Sequence, residues 1–406
     1  MKILFLTHYF PPEVNAPATR TFEHCRYWVE QGHEVTVVTA APNHPRGKVY
    51  DGYKNHLYQK EVVKGIQVIR LWTFVTPNEG FIKRTLNYVS YMLAVMLAIP
   101  FLPRVDVVIS TSPQFFCGLA GYPVKLFKRV PWVLEIRDLW PESILTVGAI
   151  KNKAIIRILE FLESFAYRKA NHIVPVTDAF KAHMVKKGVS AEKITVIKNG
   201  VDLSFYEPDK VNVRDSLANE YSDSFIASYF GTHGMAHHLE TILEAAEILK
   251  ARADIKFLLI GDGAEKARIR KLKEEKGLTN VIMLDQQPKS MMPEYWAISD
   301  VSLILLKKSD LFKTVIPSKI FESMAMKRPI ILGVEGEVKQ MLDESGAGIA
   351  IEPENAEQLA NAVVSLADNK AELNSCGEKG RAYVSSYFDR TVLAGRYIQI
   401  LSDLKQ

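Results

Sequence analysis

Cysteine is scarce in this chain, with three in 406 residues. Cys25, Cys117 and Cys376 lie far apart and form no metal-binding or redox spacing. Such a sparse, odd set belongs to a reducing compartment, so a cytoplasmic protein is expected. Long apolar runs are lacking too: the longest, residues 91–102, falls short of the roughly 20 residues that cross a bilayer. The opening MKILFLTHYF is no signal peptide, because Pro11 and Pro12 cut its apolar stretch short. Neither sign of charge dominates: 51 basic and 46 acidic residues leave a net charge of +5, and no nucleic-acid partner is expected. No short repeat, low-complexity tract or DxD run is present, and no glycine follows the first apolar run, which excludes the dinucleotide fingerprint there.

What the chain does have is rhythm. Apolar runs at 2–7, 35–39, 68–71, 105–110, 132–136, 172–176 and 194–197 alternate with amphipathic stretches such as 20–31 and 154–169. They read as buried parallel strands joined by helices. The polar, turn-rich stretch 212–224 suits a linker. The alternation resumes at 225–230, 255–260, 281–284, 301–305, 330–332 and 348–351. A chain this long exceeds one core. The expected fold is α/β: two Rossmann-like, doubly wound domains over 1–205 and 206–385, facing across a cleft at the carboxyl ends of their sheets. A last helical segment, 386–406, is expected to pack back on the first domain.

Residues suited to chemistry fall after strands. Pro317-Ser318-Lys319 opens a helix with Glu322 one turn later. Free amides and an ammonium suit a phosphate, and a carboxylate suits sugar hydroxyls; a capped amphipathic helix with a solvated Lys and Glu fits equally well. Gly231-Thr232-His233 and Gly261 follow two further strands, where glycine lets backbone donors approach a phosphate. His237 and His238 would diverge on a helix, which argues against a metal. In the first half, Asn15 lies in a strand-to-helix loop that lets backbone approach a substrate, and Arg20 behind it reads as a first-turn surface arginine. Arg137, Asp138 and Glu142 follow the 132–136 strand, where charged groups seldom serve packing. Residues 81–102, whose apolar run 91–102 is preceded by Lys83 and Arg84 and followed by Arg104, read as a helix with a buried inner face and an outer face toward an anionic membrane.

Taken in order, Asn199-Gly200-Val201-Asp202, Gly261-Asp262-Gly263, Asp300 before a strand, and Glu322-Ser323-Met324-Ala325 before Arg328-Pro329 resemble the retaining glycosyltransferases of family 4, which have the GT-B fold. The motifs His8 to Glu13, Arg137 to Glu142 and Pro317 to Lys319 look closer to a subgroup from surface-polysaccharide (O-antigen and capsule) clusters, including WbuB-like enzymes assigned to N-acetyl-L-fucosamine. The resemblance implies a UDP-sugar donor, a polyprenyl-diphosphate-linked acceptor, peripheral attachment to the inner face of the cytoplasmic membrane and no metal. It places the ribose on Glu322 and the donor-sugar position on Thr314, where the family has a glutamate. The family's basic diphosphate grip is missing around Thr232, so Lys319 and Ser318 are expected to replace it, with Asp138 orienting the acceptor or stabilising the oxocarbenium-like centre. A UDP-N-acetylglucosamine 2-epimerase-like enzyme and a non-catalytic nucleotide-binding homologue are the alternatives.

Overall fold

The computed structural model describes residues 1–44, 46–77, 81–146 and 152–405. The chain divides into two compact units, Met1–Lys198 joined by the segment from Arg390 onward, and Asn199–Asp389.

In the first unit the strands are β1 Lys2–Leu6, β2 Glu34–Ala40, β3 Tyr58–Val63, β4 Ile66–Leu71, β5 Val107–Thr111, β6 Trp132–Ile136 and β7 His172–Pro175. They form one sheet in the order β3-β4-β2-β1-β5-β6-β7. Leu4 pairs with Thr36 on one side and Val108 on the other, both parallel. These strands are apolar on both faces because helices cover both, so Phe5, Val37, Ile109 and Val133 meet Trp28 and Tyr397 in one core. The Arg390–Lys405 helix closes that core: Trp28 Nε1 donates to the Ala394 carbonyl at 2.9 Å, and Arg390 pairs with Glu23 at 2.9 Å.

Two expectations need revision. Residues 194–197 make only a single bridge, Ile173 to Ile194, beside β7. β3, which sequence periodicity did not suggest, pairs antiparallel with β4 at the sheet edge, and its Glu61 carboxylate holds Arg70 at 2.7 Å. Its alternating, half-exposed sequence YQKEVV lacks the continuous apolar run of the buried strands.

The second unit contains β8 Phe225–Phe230, β9 Ile255–Ile260, β10 Val281–Leu284, β11 Val301–Leu305, β12 Ile330–Gly333 and β13 Gly348–Ala350, in the parallel order β10-β9-β8-β11-β12-β13. Alternate side chains feed separate cores. Ile226, Ile260, Ile304 and Leu332 meet Ile320, Phe321 and Met324, while Tyr229, Phe257, Leu303 and Ile331 meet Leu243 and Val363 on the other face. The stretch expected as a linker instead contains the Asp215–Tyr221 helix, whose Leu217 and Tyr221 are buried in the first of these cores. Two apolar residues four apart suffice to dock one helical turn.

Candidate active site

In the second unit the chemistry gathers at the carboxyl ends of β8 and β9. The Gly231 amide donates to the Ile260 carbonyl at 2.9 Å, which draws the two strand ends together. Gly261 has φ +157°, and a β-carbon there would stand 1.8 Å from the Gly231 carbonyl oxygen. Only glycine fits so close an approach. Lys266 braces the turn: its ammonium donates to the Gly261 carbonyl at 2.7 Å and pairs with Asp285 at 2.6 Å.

Above this floor sits Lys319. Its Nζ lies 3.6 Å from the centroid of the Tyr229 ring and 3.2 Å from where a β-carbon at Gly231 would stand. The ammonium is buried and finds no hydrogen-bond partner among the described residues. Burial lowers its pKa to about 7, with Glu322 opposing the shift. Two histidines face it. His233, fully buried with neither ring nitrogen partnered among the described residues, and His237, whose Nδ1 lies 3.4 Å from the Leu305 carbonyl, have pKa values lowered to about 4 and about 3. Burial is the main cause for both, and the Lys319 charge adds to it. Both rings are therefore neutral near pH 7. The Tyr229 hydroxyl donates to the Thr232 carbonyl at 2.8 Å, fixing the ring under the lysine.

The start of the Lys319–Ala325 helix differs from expectation in one respect. Ile320 and Phe321 amides already donate to the Pro317 and Ser318 carbonyls at 3.1 and 3.2 Å. Of the first four amides, from Ser318 on, two are thus used, and the site depends on the ammonium more than on the helix end. The Ser318 hydroxyl accepts from Asn199 Nδ2 at 3.4 Å. Thr314 closes a short 3-10 turn, and its hydroxyl donates to the Leu311 carbonyl at 2.7 Å. So Gly231, Thr232, His233, Gly261, Lys319 and Glu322 come together, while the Thr314 hydroxyl is engaged in its own turn.

The first unit holds the other candidates. Glu135 is not at the sheet's mouth but fully buried in β6, bonded to Arg20 Nε at 3.1 Å and to the Thr111 hydroxyl at 3.0 Å. Arg20, expected on the surface, is buried as well; its other nitrogens donate to the Lys198 and Ile197 carbonyls at 2.9 Å each. Arg137 follows β6 with Nε and Nη1 buried and lacking hydrogen-bond partners among the described residues. Burial pushes the Asp138 pKa up to about 6, against hydrogen bonds from Ser143 and the Leu139 amide and the charge of Arg84. Asn15 caps the Ala16–Glu30 helix, its Oδ1 accepting from the Ala18 amide at 2.9 Å.

Glu142 is drawn into a cluster. Although burial opposes it, hydrogen bonds from His183 (3.2 Å) and Lys187 hold its pKa at about 2. Lys187 also pairs with buried Glu163 at 2.7 Å. Glu142, Glu163 and His183 have the spacing of a metal-ligand set, but the Lys187 ammonium supplies the positive charge between the two carboxylates. The cluster anchors the loop that carries Asp138.

Comparison with known proteins fits this geometry. Residues 15–200 match the family described as glycosyl transferase 4-like domain, and residues 217–383 match glycosyl transferases group 1. The chain is a family 4 glycosyltransferase. It is 25% identical to the putative colanic acid biosynthesis glycosyl transferase WcaI of Escherichia coli, over 88% of this chain and 90% of that one. It is 26% identical to the probable glycosyltransferase WbjE of Pseudomonas aeruginosa, over 71% and 72%. Among solved structures, sucrose-phosphate synthase of Thermosynechococcus elongatus superposes with a TM-score of 0.77 at 16% identity, covering 99% of this chain and 98% of that one. The Anabaena protein HepE, in complex with UDP and glucose, superposes with a TM-score of 0.72 at 16% identity, covering 99% of each chain. The fold is GT-B.

In this glycosyltransferase the feature that sequence inspection missed is Tyr229 beneath the lysine, while His237, read there only as an improbable metal ligand, lies beside it. Both lie within eight residues of Gly231, yet a strand tyrosine reads as core. Among the described residues no helix is long and apolar enough to cross a membrane.

Proposed function

We propose that this glycosyltransferase moves a sugar, N-acetyl-L-fucosamine or another N-acetylated amino sugar, from a UDP-sugar to a polyprenyl-diphosphate-linked saccharide. The step belongs to surface-polysaccharide synthesis on the cytoplasmic side of the membrane, where the enzyme is peripherally bound. The relatives named for colanic acid synthesis and the UDP complex of HepE support the substrate classes. The observation that carries the donor assignment is Lys319: a buried ammonium without a hydrogen-bond acceptor among the described residues, set against the two glycines that end β8 and β9. A desolvated cation is costly unless a ligand satisfies it, and a diphosphate does so with charge-assisted hydrogen bonds.

In the proposed reaction the glycosidic C–O bond to the diphosphate breaks as the acceptor hydroxyl attacks the same face, giving retention. The departing phosphate oxygen takes the acceptor's proton, and Lys319 neutralises the charge that develops there. Glu322, one turn into the helix, accepts from the ribose hydroxyls. Asp138, ionised above about pH 6, orients the acceptor or faces the positive anomeric centre. Protein charges suffice at the diphosphate, so no metal is required. The neutral histidines 233 and 237 add ring donors without competing charge.

The test is a screen of UDP-sugars with UDP release as the readout, run on the wild type and on Lys319→Ala. One UDP-sugar should be turned over by the wild type in the presence of lipid-linked acceptor, and Lys319→Ala should lose both turnover and UDP affinity. Unchanged turnover and affinity in Lys319→Ala would remove the lysine from the mechanism. Conversion of UDP-N-acetylglucosamine without acceptor would point to epimerisation instead.

A further inference from the structure

The Phe81–Ala98 helix of the first unit is built the opposite way from a solvent-facing helix. Its inner side buries Asn87, Tyr88, Tyr91 and Val95. Its outer side presents Ile82, Leu86, Leu93 and Leu97, followed by Phe101 in the adjoining 3-10 turn; Leu97 is 78% and Phe101 72% exposed. That spacing keeps one apolar stripe along the whole helix. The surface does not stop there. The Gly121–Lys128 helix ends in exposed Leu126 and Phe127, the latter 74% exposed, and Lys128 ties it to the first helix by donating to the Leu102 carbonyl at 2.6 Å. On its other flank Lys125 donates to the Lys169 carbonyl at 2.7 Å, and Tyr122 meets Phe165 at 4.9 Å between ring centroids. The Lys153–Lys169 helix joined in this way exposes Ile158 and Phe161.

Cations are interleaved with these side chains. Arg104, Lys125, Lys128, Lys169 and Lys193 form no ion pair with a carboxylate among the described residues. Instead they crowd one another: beyond the effect of burial, Lys169 lowers the pKa of Lys125, Arg104 that of Lys128, and Lys125 that of Lys193. Like charges held together around an apolar stripe, none of them paired with a carboxylate among the described residues, are complementary to an extended anionic sheet with an apolar interior.

We propose that these three helices form one docking face for an anionic lipid bilayer, with Leu97, Phe101 and Phe127 entering the headgroup boundary and the lysines meeting lipid phosphates. The inference rests on the lipid-linked acceptor proposed above and adds where the enzyme meets the membrane. It also gives the first helix a second purpose. The helix that lies on the lipid carries Arg84, Asn87 and Tyr88 into a polar recess with Tyr9 and His44, and Arg84 is near enough to Asp138 to favour its ionised form. Docking therefore holds Arg84, whose charge favours ionised Asp138, on the helix that meets the lipid surface.

Co-sedimentation with vesicles of phosphatidylcholine, alone or mixed with phosphatidylglycerol, tests this on the full chain. The wild type should pellet with the mixed vesicles and far less with neutral ones. A Leu97→Ser, Phe101→Ser, Phe127→Ser variant and a Lys125→Glu, Lys128→Glu variant should each bind mixed vesicles at least ~10-fold more weakly. UDP affinity should stay as in the wild type in both, and melting temperature in the apolar triple variant; the lysine variant gives up the bonds to the Leu102 and Lys169 carbonyls and should melt somewhat lower. Retained UDP binding with lost vesicle binding separates this proposal from the donor assignment, since Leu97, Phe101 and Phe127 are exposed, Lys125 and Lys128 half-buried, and all are remote in sequence from Lys319. Vesicle binding unchanged in both variants would overturn the docking face. So would a dimer of the wild type in gel filtration that the triple variant dissolves, because the face would then join two copies of the chain.

Discussion

Arg20 in the first unit and Lys319 in the second both hold their charge away from water, and they differ in what surrounds them. Arg20 has a carboxylate from Glu135 and two backbone carbonyls within about hydrogen-bond reach, all supplied by its own unit. Lys319 has an aromatic ring, two neutral histidines and glycine backbone, and its ammonium reaches no hydrogen-bond acceptor among the described residues. Burying a charge costs several kcal/mol unless partners repay it. Arg20 is repaid within the fold and stabilises it. Lys319 awaits repayment from outside, which is the mark of a ligand site. Burial alone therefore does not distinguish a structural cation from a functional one; the inventory of acceptors does.

The contrast breaks most sharply by mutation. Arg20→Met should destabilise the first unit by about 3–5 kcal/mol, because it strands the Glu135 carboxylate in the core; thermal unfolding would report it. Lys319→Met should do the reverse, leaving melting temperature unchanged or higher while kcat falls about 10²–10³-fold. A matching loss of stability in Lys319→Met, or none in Arg20→Met, would erase the distinction.

A backbone change of smaller scope sharpens the same point. Gly261→Ala places a β-carbon 1.8 Å from the Gly231 carbonyl, so the ends of β8 and β9 must part. UDP affinity should fall at least ~10-fold from the lost geometry, with the first unit's vesicle binding intact.

The pH dependence is subtler. Lys319 has a folded-state pKa of about 7, below its unfolded value of 10.5. Between those values the unfolded chain holds the extra proton, so the empty protein gains stability as pH rises through that window. UDP demands the charged form, so above about pH 7 its binding should take up close to one proton, seen as a buffer-dependent heat in calorimetry and absent from Lys319→Met. Asp138, raised to about 6, must lose its proton to act. The free enzyme's kcat/KM should therefore rise through about pH 6, fall above about 7, and trace a narrow bell. A profile flat from pH 5 to 9, where ~100-fold changes are readily measured, would contradict both assignments.

Much of the second unit was legible in the sequence, because β8, β9, β11 and β12 are short runs buried on both faces and bounded by polar turns. β3 was not, since an antiparallel edge strand with one wet face carries a weak signal. The Asp215–Tyr221 helix hid in a polar stretch because its two anchoring side chains are only one turn apart. The glycines and Lys319 stood out by their place after strands. Tyr229 did not, because its importance arises only when residues 90 positions apart in the chain meet, as Lys319 and Tyr229 do. Nor could sequence show that Glu142 is taken by His183 and Lys187, which belong to a later helix. Local pattern reports burial and turns; the satisfaction of a charge is a property of the assembled unit.

A crystal structure with UDP bound would test the central claim most directly. Lys319 Nζ is expected within hydrogen-bond distance of a diphosphate oxygen, drawn from its place over the Tyr229 ring, with the ribose hydroxyls on Glu322. A diphosphate seated elsewhere, with the ammonium still 3.6 Å above that ring, would contradict it.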